Sequence, residues 1–133
     1  MSLERDLNFG IGEEETLKPQ LEKWIGGSIK KLDEMNLFDF ELEEQKILIE
    51  LKSRRITHNK YTTALIGQNK VNLAVEKQKE GYEIFFVFNY VDGIYFVKFH
   101  NEMVKYPTRY LKRFDRQWGH YVVEINVNEL QRI

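Results

Sequence analysis

Apolar residues recur at three- and four-residue steps in Leu17, Leu21, Trp24 and Ile25, and with Ser28 they mark one face of a helix predicted from Glu13 to roughly Lys31. Glu13, Glu14 and Glu15 suit the positive end of its dipole, and Gly26-Gly27 leaves its C-terminal boundary open. Leu37 to Leu42 then alternates apolar and acidic positions, the signature of a half-buried strand. Ile47 to Lys52 is more continuously apolar, as expected of an inner strand. The polar stretch Glu43 to Lys46 between them makes a β-hairpin the simple reading, although it lacks an Asn-Gly or Asp-Gly turn. Ser53 to Thr63 reads as a polar, basic loop, followed by a second helix from about Ala64 to Lys79 that Gly81 stops. Tyr82 to Phe88 and Ile94 to Phe99 form a hairpin around Asp92-Gly93. A basic, aromatic segment from Lys105 to Trp118 precedes a last strand, Tyr121 to Val127. This succession predicts a mixed α/β domain, one sheet flanked by helices.

With 133 residues, 42% of them hydrophobic, the chain suits one compact domain spanning residues 1–133. No linker or repeat interrupts it, and no apolar run approaches the length of a membrane span. The N-terminus is polar and acidic with no signal-peptide pattern, so a cytoplasmic location is expected. The absence of cysteine excludes thiolate metal sites, cysteine nucleophiles and disulfides. A net charge of −1 means that any nucleic-acid surface has to be a local basic patch. Two such patches exist. Arg54, Arg55, His58 and Lys60 follow the inner strand, and Lys105, Arg109, Lys112, Arg113 and Arg116 lie further on. If Pro107 begins a short helix, Arg109, Lys112, Arg113 and Arg116 line one face of it. Tyr106, Tyr110, Phe114 and Trp118 interleave with them, either to stack on bases or to pack on the sheet with the arginines solvated.

The candidate chemistry sits in the first hairpin. Side chains alternate faces along a strand, so Asp39 and Glu41 share one face, and Glu50 and Lys52 share another. If Leu42 closes opposite Ile47, Asp39 falls opposite Glu50, with Cβ atoms roughly 4.5–5.5 Å apart. Two carboxylates that close repel by about 3 kcal/mol at an effective dielectric of about 20. A divalent cation between them removes the conflict, and Mg²⁺ favours such hard oxygen ligands. Lys52 points the same way, where it can hold the attacking water or stabilise developing negative charge. Acidic residues and lysine on a merely solvated hairpin face are the competing explanation. The three histidines form no cluster, and no phosphate-binding glycine motif occurs.

Phe38-Asp39-Phe40 followed by Ile47-Leu48-Ile49-Glu50-Leu51-Lys52-Ser53-Arg54 resembles the core of the PD-(D/E)XK nuclease superfamily over roughly residues 10–100. It is similar in size and layout to Holliday-junction resolvases and to nuclease-like proteins of phages and large viruses. One departure is Phe38, which stands where the family's variable proline precedes the aspartate. The resemblance implies a restriction-endonuclease-like αβββαβ core and a Mg²⁺- or Mn²⁺-dependent endonuclease acting on DNA, branched DNA included. It implies Asp39, Glu50 and the Leu51 carbonyl as metal ligands and Lys52 as catalytic. It also implies an auxiliary glutamate early in the first helix. Glu14 fits, being three and seven residues before Leu17 and Leu21, whereas Glu13 is placed to cap and Glu15 points elsewhere. Gln68 or Lys70 on the second helix is the expected supporting polar residue, with a hydrogen bond to backbone as the alternative for Gln68. Arg54, Arg55, His58, Lys60, Arg109, Lys112, Arg113 and Arg116 are the expected DNA contacts. A homodimer and a bacterial, phage or viral origin follow from the resemblance alone. The competing classes are a nuclease-like fold that binds nucleic acid or protein without cutting, and a structural domain whose acidic pattern is chance.

Overall fold

A computed structural model of the chain describes residues 16–33, 38–112 and 119–133. Helix α1 covers residues 16–25. It stops short of the predicted Lys31 because Gly26 adopts φ 83°, a left-handed conformation that glycine tolerates, and closes the last turn through its N–H on the Glu22 carbonyl. The Glu22 side chain then accepts the Ile29 N–H at 2.9 Å, which ties the exit of the helix to its body.

Nine strands and a second helix follow among the described residues: β1 (Lys30–Lys31), β2 (Phe40–Leu42), β3 (Ile47–Ser53), β4 (Thr63–Gly67), α2 (Gln68–Lys79), β5 (Glu83–Tyr90), β6 (Gly93–Lys98), β7 (Thr108–Lys112), β8 (Gly119–Asn126) and β9 (Gln131–Arg132). Six of the strands form one sheet in the order β1-β2-β3-β5-β6-β9. Its central pair, β3 and β5, is parallel, and its other pairs are antiparallel. Parallel neighbours need a crossover, and β4 with α2 supplies it. The order α1, β1, β2, β3, α2, β5 is therefore the αβββαβ succession of the expected α/β fold, with β4 inserted before the second helix. Both residues of β1, Lys30 and Lys31, are exposed at one edge of this sheet.

Two segments depart from the expected pattern. Residues 64–67 open as strand β4 rather than as the first turn of a helix, because Ala64 and Ile66 are buried on one side and pair with β8. Residues 108–112 are strand β7, not a helix begun by Pro107. Together β4, β8 and β7 make a second, three-stranded antiparallel sheet that the local pattern does not announce.

The large sheet buries both faces. Leu17, Leu21 and Ile29 cover Phe40, Ile47, Ile49, Leu51 and Val87 on one side. On the other side Leu48, Ile84, Phe86 and Phe88 meet Val71 and Ala74 of α2 and Ala64, Ile66, Val123 and Ile125 of the small sheet. Phe86 is fully buried there and packs edge-on to Phe99 at a centroid distance of 6.3 Å. Phe86→Ala is expected to cost about 3–5 kcal/mol through lost burial and the cavity left behind. Urea denaturation measures this, and a loss below about 1 kcal/mol would mean that the second core is not built as described.

Candidate active site

The first hairpin closes as its sequence predicts. Leu42 pairs with Ile47, Glu41 with Leu48, and Phe40 with Ile49. In place of a two-residue turn, one 3-10 turn over Glu43–Gln45 leads into Lys46 at φ 52°, a left-handed residue that brings the chain back onto the strand. The regular ladder ends at Phe40. The Asp39 N–H bonds to the Ile49 carbonyl at 3.0 Å, one position short of strict continuation. Its carboxylate oxygen Oδ2 then accepts the Leu51 N–H at 2.7 Å, replacing the strand carbonyl that would otherwise do so. Asp39 is thus held by the edge of β3 through both its backbone and its side chain.

Leu48, Glu50 and Lys52 project from the opposite face of β3 to Ile47, Ile49 and Leu51. Glu50 pairs in register with Phe86 of β5, and Lys52 pairs with Phe88. Glu50 is the one charged side chain buried among the described residues, at 3% exposure. Apolar surroundings disfavour its ionised form. Burial pushes its carboxyl up to about 8, and the hydrogen bond and negative charge of Asp39 push the same way, while Lys52 and Lys70 pull it down. Asp39 and Lys52 are half-buried on either side of it. Lys70, in the first turn of α2, places its ammonium 2.9 Å from Glu50 Oε2. That contact is an ion pair without hydrogen-bond geometry, so Oε2 is compensated by charge yet has lone-pair capacity left over. Lys70 also lies over the Phe38 ring, 5.9 Å from its centroid.

The donor chemistry fits a hard divalent cation. Two carboxylates meet at a buried position, and among the described residues no third His, Asp or Glu joins them. Mg²⁺ typically takes one or two carboxylates and keeps several waters. The Leu51 carbonyl points toward the Asp39 side of β3, because a strand residue presents its N–H and C=O to the same neighbour.

The remaining candidates divide. Gln68 opens α2 and is half-buried, and it is Lys70 that reaches Glu50. Glu14, Arg113 and Arg116 lie outside the described residues. Arg54, Arg55 and Lys60 are exposed on the loop that leaves β3, beyond Lys52. His58 is held rather than projecting: Asp92 accepts its backbone N–H at 2.9 Å and its Nδ1 lies 2.5 Å from the other carboxylate oxygen. Its ring stacks on Tyr95 at 4.5 Å, and the His58 contact holds the Asp92 carboxyl below its ordinary value. Asp92 reads in the sequence only as a turn residue, and nothing local signals a partner 34 positions away. Arg109 does not share a helical face with Lys112. On a strand the two alternate, and Arg109 Nε pairs with Glu124 at 3.1 Å while Lys112 is exposed.

No curated protein matches the chain. The family model described as "phage putative PDDEXK endonuclease" matches residues 10–133, and the chain belongs to that family of the PD-(D/E)XK nuclease superfamily.

Proposed function

We propose that the chain is a Mg²⁺- or Mn²⁺-dependent endonuclease that hydrolyses DNA phosphodiester bonds, with branched DNA among its substrates. The observation that supports this reading is the buried Glu50 carboxylate held against Asp39, with Lys52 on the same face of β3. Asp39, Glu50 and the Leu51 carbonyl would hold the cation. When bound, it would supply Lewis-acid charge to the scissile phosphate and to the attacking water. Lys52 orients the attacking water and offsets the negative charge that develops on the phosphate. The Leu51 N–H fixes the Asp39 carboxylate, so the acidic pair is oriented before substrate arrives. Lys70, 2.9 Å from Glu50 Oε2, favours the ionised form of that carboxyl against the effect of burial and is a positioning residue for it. Arg54, Arg55 and Lys60 lie along the path of the phosphate backbone as it leaves the site.

The Lys70–Glu50 ion pair is also what favours a second reading, a nuclease fold that binds without cutting, because an internal cation already serves the carboxylate. Incubation with supercoiled plasmid and with branched DNA separates the two. The expected result is nicking or cutting in Mg²⁺ or Mn²⁺ that EDTA abolishes. Intact DNA under all metal conditions, alongside retained binding, would leave the binding module standing and remove the nuclease reading.

A further inference from the structure

The small sheet is longer on one side than on the other. Strand β4 ends at Gly67, opposite Val122, so among the described residues only β7 pairs with residues 119–121 of β8. Tyr121 has the same facing as Val123 and Ile125, whose side chains enter the core next to α2. That inward face therefore continues past the core as a two-stranded ribbon, and Tyr110 lies directly across from Tyr121 on it. The two rings meet edge to face at 5.2 Å, yet each is about half exposed, at 52% and 54%. Tyr110 is oriented by the Gly119 N–H, which donates to its hydroxyl at 2.8 Å. Lys112 is two residues on and shares its facing. Of the basic residues Lys105, Arg109 and Lys112 nearby, Arg109 is turned to the other face and paired with Glu124.

The position of this overhang gives it meaning. Lys70, which reaches Glu50, is three residues beyond Gly67, so at most about 11 Å of chain separates the end of β4 from it. The overhang therefore begins where β4 hands over to α2, the helix whose Lys70 reaches Glu50. Large rings held in the open at a fixed mutual angle, with a lysine on the same facing, are what a base-stacking platform requires.

We propose that Tyr110 and Tyr121 form a stacking platform for unpaired nucleotide bases, with Lys112 on the adjoining phosphate, so that the preferred ligand is single-stranded or branched DNA rather than plain duplex. This deepens the nuclease reading and rests on it for the substrate class. A stacked base contributes enough that its loss weakens binding about tenfold or more.

Fluorescence anisotropy with labelled single-stranded, splayed-arm and blunt duplex DNA tests it, with Ca²⁺ replacing Mg²⁺ so that binding is read without cleavage. Tyr110→Ala and Tyr121→Ala are expected to weaken single-stranded and splayed-arm binding about tenfold each while duplex binding stays nearly constant, and Tyr121→Phe restores the loss. Both side chains are half exposed, so unchanged urea midpoints are expected and are checked alongside. Equal binding of the alanine variants and the wild type overturns the platform, as does an equal loss on all three DNAs. Metal-dependent cleavage by the wild type is scored separately, so the platform can fail while the nuclease reading stands, and the reverse.

Discussion

Lys52→Ala should reduce metal-dependent cleavage by about 10²–10³-fold while leaving DNA binding in Ca²⁺ close to wild type. Lys52 pairs in register with Phe88 at the end of an inner strand, half-buried and on the same face as Glu50. A long cationic side chain there loses hydration and conformational freedom, and a merely solvated lysine would lie elsewhere on the surface. Its charge acts on Glu50 by favouring ionisation of that carboxyl. On the proposed function, the same field would stabilise negative charge that builds on a phosphate beside the pair. Because that charge is greatest in the transition state, the loss belongs in the turnover rate and not in affinity. Single-turnover cleavage of plasmid at saturating enzyme, set beside anisotropy in Ca²⁺, separates the two quantities. Lys52→Ala cutting as fast as wild type would remove Lys52 from the site.

Glu50→Gln should make the metal-free protein more stable at pH 8, not less. The folded-state carboxyl titrates at about 8, against an ordinary value of 4.5, so the neutral form is the one the fold favours. A group raised in this way contributes stability that is fully present below about pH 4.5 and is lost as pH rises through about 8. The wild type in EDTA should therefore lose at most about 1.4 kcal/mol per pH unit across that window from this one group. Glutamine removes the titration, and Lys70, partly exposed, can extend its ammonium toward water. Melting curves from pH 5 to pH 9 in EDTA should show the two proteins converging at low pH and the variant ahead by several degrees at high pH. Added Mn²⁺ should raise the wild type by about 1.4 kcal/mol per tenfold excess over its dissociation constant and leave the variant unmoved. Parallel melting profiles for the two proteins would show that Glu50 carries neither the strain nor the cation.

The hairpin was legible in the sequence because its signals are local. The apolar alternation of Phe40 and Leu42 against Ile47 and Ile49 permits one register, and a one-residue slip would turn the buried set to water. That register brings Asp39 to the level of Glu50, although the break at Asp39, where a side-chain oxygen replaces a strand carbonyl, leaves no mark in the pattern. The small sheet was not legible. Ala64 falls at helical spacing from Gln68, Val71 and Val75, so the strand reads as the opening of the helix that follows it. Its partner is β8, more than fifty positions later, and such a pairing is set by long-range burial that no short window contains. In β7 Pro107 and the spacing of the basic residues imitate a helix start, while the alternation of Thr108, Tyr110 and Lys112 with Arg109 and Leu111 is what the fold uses. Lys70 was one of two candidates on its helix. The choice between it and Gln68 depends on where α2 begins, and β4 moves that start to Gln68.

The exposed lysines of β1 bear on how copies of this chain meet one another. An open sheet edge is a template on which a second copy can add its own strand. Here the outermost described strand is Lys30–Lys31, so pairing two such edges would set lysine beside lysine on each face of the sheet, across a strand spacing of about 4.8 Å. Growth of the sheet from copy to copy is disfavoured at that edge, where extending the ladder would bring like-charged residues together.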